Sequence, residues 1–408
     1  MRFPNGPLSF LISSPKRFLS TRTTLNPLPA TFLRGGTSKG IYINREHLPA
    51  DRSQWDPIFL GIMGSPDPEY GRQLNGMGGG VSSLSKICVV GKPSDSQVKD
   101  GIDAEYTFVQ VGIRDSSIDY SGNCGNLSSM IGVFAMDEGI CQPQVVTGQT
   151  ATIRSFNTNT NKRIDTTFPI SRTGAGANAA LDLPQVTVAG VSGKASQITL
   201  DFVSPGGART GKLLPSGNPV DTIDIGDCEG VSPSTTHVRA SLVDATNPTV
   251  FISSTDLQGA LDLTPSSPID YADTQVGRIL EFIRRRGAER MGLDPSAQAQ
   301  PKIAILSHPS PEDVGVHVVI HALSMGVLHK AVPMTVGLCL GVAARVEDTL
   351  AWDILATRQN GEAQRDLLTM KHPGGTVDVG AGFDEQGGVT SAKVVRTGRR
   401  LMKGVVWW

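Results

Sequence analysis

Apolar and polar positions alternate in short runs along the first patterned stretch of the chain. Ala30–Arg34 reads as a short strand, Gly35–Gly40 as a turn and Ile41–Ile43 as the next strand. Trp55–Met63 has the spacing of a short helix. Val81–Val90 ends in a β-branched run, and Tyr106–Val111 alternates like a half-buried strand. Gly76–Gly80 is a backbone that other groups can approach closely.

Two later segments break this rhythm. Leu127–Met136 is apolar nearly all round, which predicts a helix buried on every side, closed by Asp137-Glu138-Gly139. The turn residues Ser121–Asn126 open it. In the second half, the small-residue turn Ser324-Met325-Gly326 precedes the apolar run Val327–Ala344. That run predicts a second buried helix starting near His329, with Pro333 in its first turn. The recurrence suggests an α+β fold of two similar lobes, each a β-barrel-like sheet wrapped around one central helix. The N-terminal lobe is expected over residues 28–195, joined by C-terminal strands within 390–408. The C-terminal lobe is expected over 196–389, with the boundary near Gly190–Thr199. Arg278–Arg290 reads as an exposed amphipathic helix whose run Arg284-Arg285-Arg286 is a solvated face.

Composition narrows the class. The 408 residues allow two ordinary domains, and 39% hydrophobic with 18% charged residues describes a globular chain. With 46 glycines and 26 prolines, a turn-rich mixed fold is favoured over a helix bundle. A formal net charge of −1 gives no electrostatic case for nucleic acid or for an acidic membrane surface. The longest apolar run, Val332–Ala344, is too short for the ~20 residues of a bilayer span. The first 27 residues stand apart. No acid occurs before Glu46, and Ser13–Thr24 is basic and Ser/Thr-rich, as in a mitochondrial transit peptide; without such an address the chain is expected in the cytoplasm.

Five scattered cysteines form no CxxC pair, so neither a zinc site nor a redox dithiol is expected. His308, His317, His321 and His329 lack HExxH spacing, and P-loop and dinucleotide motifs are absent. Two side chains remain as candidates for chemistry. Cys124 sits among glycines and asparagines where the Leu127–Met136 helix begins, and free N–H groups with a positive dipole end favour a thiolate or a bound carboxylate there. Lys86 lies in a Ser/Val/Ile stretch. It either faces solvent on a strand or turns inward, where lost hydration favours the amine base. Arg34, Thr37, Ser38 and Lys39 form a basic, hydroxyl-rich turn suited to carboxylates, and Ser204–Gly211 is a second such turn.

Phe32–Gly40 and Ser121–Leu127, with its Gly-Asn-Cys-Gly-Asn core, resemble the PrpF family of 2-methylaconitate cis–trans isomerases and their relatives. The likeness extends through Ser82–Lys86, Gly207–Gly217, Asn247–Phe251, Leu323–Gly326, His372–Gly375 and Arg396–Met402. It implies the diaminopimelate-epimerase-like fold of two lobes with the active site between them. It implies that Lys86 and Cys124 match the family's acid–base pair. Epimerases of this fold use a cysteine from each lobe, and Ser324-Met325-Gly326 offers none, which favours the isomerase branch. Arg209 departs from the pattern and either reads an additional carboxylate or faces solvent.

The expected activity is cofactor-free, metal-free cis–trans isomerisation of an aconitate or methylaconitate through a dienolate. The alternatives are allylic tautomerisation of an oxo-acid such as 4-oxalomesaconate, and a non-catalytic carboxylate-binding accessory role. The helix start at Asn123, Gly125 and Asn126 would hold carboxylates together with Arg34, Thr37, Ser38 and Ser85. Ser324, Met325 and Gly326 would do so from the second lobe. The expected partner is a small polycarboxylate, with neither nucleic acid nor membrane, and a homodimer is the assembly allowed for.

Overall fold

The computed structural model describes residues 25–120, 123–143, 145–173, 176–265, 267–297, 300–324, 326–356 and 367–408. The segment on which the transit-peptide reading rests, and Met325, lie outside the described residues. Among the described residues no helix is long and apolar enough to cross a membrane.

Both central helices form and strands enclose each, but the first does not run unbroken over Leu127–Met136: a turn at Ser129-Met130 divides it into Gly125–Ser128 and Ile131–Asp137. Ile131–Asp137 packs against the strands Lys86–Gly91, Ala104–Val111, Thr150–Asn157 and Lys162–Thr173. Its Ile131, Val133 and Phe134 are fully buried, each stabilising by about 1.5–3 kcal/mol. Met334–Ala343 packs against Gly375–Phe383, Val389–Arg396, His237–Ala245 and Asn247–Ser253, and is buried from Val336 to Ala343. An α+β fold of two sheet-wrapped helices is therefore what the chain builds.

One path of pairings links the two sheets. It starts at Gly398–Val406, which pairs with Leu28–Gly35, so the last strand closes onto the first. It continues through Ser38–Asn44, Lys86–Gly91, Ala104–Val111, Thr150–Asn157 and Lys162–Thr173. The strand Ile198–Val203 then pairs with Lys162–Thr173 on one side and Val389–Arg396 on the other. A separate two-stranded hairpin, Val186–Val188 with Val191–Ala195, pairs only with itself among the described residues.

The second helix begins later than the sequence suggests. Val327–Leu328 turns back on Val318–Ser324, with Ser324 opposite Val327 and Gly326 at φ 74°. The His329 amide bonds to the Ala322 carbonyl, which holds that residue in the hairpin. A residue before proline avoids the helical region, so the helix does not include Val332 and Pro333 becomes the cap rather than part of the first turn. The helix Thr274–Arg290 forms as expected, but Arg284 is turned inward. It pairs with Glu281 and donates to the carbonyls of Pro295 and Ala297, which offsets its burial.

The strand shared by both sheets carries a buried strain of charge. Asp201 faces Asp165 on one neighbour and Lys393 on the other, and its Oδ1 has no hydrogen-bond partner. Burial, only partly offset by Lys393, pushes its carboxyl up to about 6. An acid whose folded value lies above its unfolded value stabilises fully below the unfolded value near 4, and that contribution is lost as pH rises through about 6. Asp201→Asn is expected to raise the melting temperature by a few degrees at pH 8, with the gain vanishing near pH 4. Thermal melts of both proteins at the two pH values check this.

Candidate active site

The site begins at the turn between the first two strands. Gly36 sits at φ 48°, and a Cβ there would strike the Asn126 side chain and crowd Arg396. The Gly35-Gly36 pair thus lets the start of the central helix reach the strand turn. Asn126 Nδ2 donates to Thr37 Oγ1 at 3.1 Å, while its Oδ1 accepts from Arg396 Nε at 3.0 Å.

Cys124 is the cap residue of the helical turn Gly125–Ser128, and no side chain caps that turn. Its Sγ lies 3.9 Å from Ser38 Oγ. Its carbonyl accepts from Ser128 Oγ at 3.1 Å. Behind it, Asn123 Oδ1 accepts from the buried Tyr106 hydroxyl at 3.2 Å and from Ser128 at 3.1 Å. A Cβ on Gly125 would collide with Met334 Sδ, so the uncapped starts of the two central helices face one another. Uncapped starts offer N–H donors to an anion. The position matching Cys124 on the second helix is Pro333, and the thiol of that helix, Cys339, is buried against the Val243 carbonyl.

Lys86 turns inward and is 9% exposed. It stands directly opposite Gln110 in the strand register, and Nζ donates to Gln110 Oε1 at 2.6 Å. The ring of Phe108 lies 5.1 Å from the same nitrogen. Gln110 Nε2 is in turn fixed by the Ser85 carbonyl at 2.9 Å. Ser85 Oγ accepts from Gln73 Nε2 at 2.7 Å, and Gln73 Oε1 accepts from the Gly80 amide, so the Gly76–Gly80 loop wraps the residue that positions Ser85. Lys86 and Cys124 both act electrostatically on the buried Cys88. Burial first, then Cys124, drives the Cys88 thiol up, while Lys86 opposes them.

A cavity of about 470 Å³ opens beside these groups. The strand turn supplies Thr37 and Ser38, the first helix Asn126, and the Gly-rich loop's end Ser83. The second sheet and helix supply His329, Met334, His372, Asp378 and Arg396, and the separate hairpin supplies Gln185–Ala189 and Lys194. Lys86 and Cys124 are not among the lining residues, and Cys124 stands behind the lining Ser38. Ser85, Asn123 and Gly125 are supports of the same region. Arg34 donates to the carbonyls of Gly36 and Thr397 and so clamps the turn from outside the cavity. Gly326 lies at the hairpin tip, against Arg284 and Lys302 rather than at this cavity, and the Ser324 side chain is not described. Arg209 is exposed and donates to Gln300.

Arg396 is a cavity residue that the sequence does not single out as a candidate. It is 8% exposed, lines the cavity, and bonds only to the amide of Asn126 and the Val395 carbonyl among the described residues. Burial lowers its guanidinium to about 10, so the side chain is a cation at neutral pH that lacks a carboxylate. Its neighbour His372 accepts from the Gly374 amide through Nδ1, and burial, aided by Arg396, pushes the imidazole below its usual value.

The family described as PrpF protein matches residues 26–408. The chain belongs to the PrpF family. The 3-methylitaconate isomerase of Eubacterium barkeri is 32% identical over 93% of this chain and 97% of that protein. The 2-methyl-aconitate isomerase of Shewanella oneidensis is 32% identical over 92% and 96%. A crystal structure of a methylitaconate-delta-isomerase superposes with a TM-score of 0.79, at 30% identity over 94% of this chain and 96% of that one. This PrpF protein is an isomerase.

In this PrpF protein a bound carboxylate would complete Arg396. Affinity for tricarballylate, a saturated tricarboxylate, is expected to fall by about 10–100-fold in Arg396→Gln, the worth of one buried charge-assisted bond. Wild-type affinity is expected to decline as pH approaches about 10, and the variant should lose that part of the decline. Calorimetric titrations at pH 7.5 and pH 10 decide both points.

Proposed function

We propose that this isomerase acts on an unsaturated di- or tricarboxylic acid of the aconitate or methylaconitate type, by proton transfer between Lys86 and Cys124. The observation that carries the reading is Arg396, a buried cation at the cavity with no carboxylate partner among the described residues. The names of the relatives agree with it: they act on methylitaconate and methylaconitate, and a third relative, the (4E)-oxalomesaconate Delta-isomerase of Novosphingobium, is 30% identical over 94% of this chain.

The chemistry follows from the substrate class. A methylene next to a conjugated acid is weakly acidic, because loss of its proton gives an extended dienolate. Lys86 as amine takes that proton and becomes the ammonium. In the dienolate the former double bond has single-bond character and can rotate. The Cys124 thiol then gives a proton back to carbon, and the two side chains return to their starting states by proton exchange. Arg396 and the N–H groups at the start of Met334–Ala343 stabilise the charge that develops on the carboxylate end.

In deuterated water, the wild type is expected to exchange the methylene protons of cis-aconitate or methylitaconate and to change their isomer composition, followed by NMR. Lys86→Ala should lose about 10²–10⁴-fold in rate, the usual worth of a positioned base. Wild-type-like exchange in that variant removes Lys86 from the base role. A wild type that exchanges no polycarboxylate removes the proposed function itself.

A further inference from the structure

The hairpin Val186–Val188 with Val191–Ala195 has no place in the sheets that build the lobes. It lies on the connection between Lys162–Thr173 and Ile198–Val203, and Gln185 to Ala189 form part of the cavity wall. Its tip is held by both lobes. A Cβ on Gly190 would sit 3.4 Å from Thr37 Cγ2, beside the first helix start, and one on Gly375 would sit 2.6 Å from Ala189 Cβ. The hairpin thus spans from the strand turn at Thr37 to the His372–Gly375 corner.

This hairpin carries one cation into the cavity. Lys194 is exposed, lines the cavity, and has neither an ion pair nor a side-chain hydrogen bond among the described residues. Apart from the two histidines, it and Arg396 are the cationic side chains of the lining, and Asp378, which accepts from Thr369, is the acid. The two cations differ in kind. Arg396 is buried, fixed by Asn126 and planar, suited to a carboxylate that every substrate must present. Lys194 is an exposed point charge on a strand outside the core, suited to a group that some substrates carry and others lack.

Building on the proposed polycarboxylate activity, the geometry points to Lys194 as the residue that selects tricarboxylates over dicarboxylates, by pairing with the carboxylate farthest from Arg396. It touches no reacting atom and sets specificity through binding. The hairpin mount explains how the choice varies without disturbing the core, since among the described residues its strands pair only with each other.

The test compares Lys194→Gln and Lys194→Arg with wild type, using cis-aconitate as tricarboxylate and methylitaconate as dicarboxylate. The ratio of kcat/KM for the two is expected to fall about tenfold in Lys194→Gln, carried by KM, and to stay within about twofold of wild type in Lys194→Arg. A ratio unchanged in Lys194→Gln overturns the assignment. Equilibrium binding of tricarballylate against glutarate gives a readout independent of turnover. A tenfold loss for tricarballylate alone upholds the role of Lys194 even if the wild type isomerises neither acid, in which case only the proposed activity falls. Equal losses for both ligands overturn the selective role.

Discussion

The hydrogen bond between Arg396 and Asn126 ties together, at the cavity wall, two residues 270 positions apart in the chain. Arg396 ends a strand that borders the second helix, and Asn126 stands in the first turn of the first helix. A guanidinium buried at that junction without a partner would cost several kcal/mol. The amide oxygen of Asn126 meets part of that need, and the remaining donors are left for something from outside. The contact is possible because Gly35 and Gly36 place no side chain where Asn126 must pass. The same amide then reaches Thr37, so one asparagine fixes strand turn, helix start and cavity cation in a single arrangement.

Around that junction the acid–base candidates are held by neutral groups. Cys124 is framed by Ser38, Ser128 and the Asn123–Tyr106 pair, and Lys86 by Gln110 and the face of Phe108. Rigid neutral scaffolds of this kind orient a group without fixing its charge. The support extends outward through Ser85 and Gln73 to a glycine-rich loop whose own composition shows no chemistry.

Much of this was legible from sequence because it depends on local pattern. The Trp55–Met63 helix, the strand ending in Val89-Val90 and the buried helix after Cys124 follow from periodicity and turn residues a few positions apart. The second helix start was misread because an apolar run hides a two-residue strand. The pairing of Leu328 with Leu323 decides it, and Pro333 was the signal that the helix could not begin at His329. Arg396 was missed for a different reason. It sits in the same basic stretch as Arg399 and Arg400, and only a partner 270 residues away makes it the buried one. Arg34 is the converse: its position beside Thr37 and Ser38 suggests a ligand, yet it is absent from the cavity lining and its Nη1 donates to the Gly36 and Thr397 carbonyls.

The contrast between Arg396 and Lys86 orders the site. Both are cationic residue types withdrawn from water, and neither has a carboxylate partner among the described residues. For an arginine this has one consequence, since it keeps its proton near neutral pH and can only recruit an anion. A lysine can instead give its proton up. A carboxylate in place of Gln110 would add a negative charge beside the nitrogen, whereas the amide oxygen accepts its hydrogen bond and carries none. Gln110 stands directly opposite Lys86 in the strand register, so the pairing of the two strands itself sets this contact.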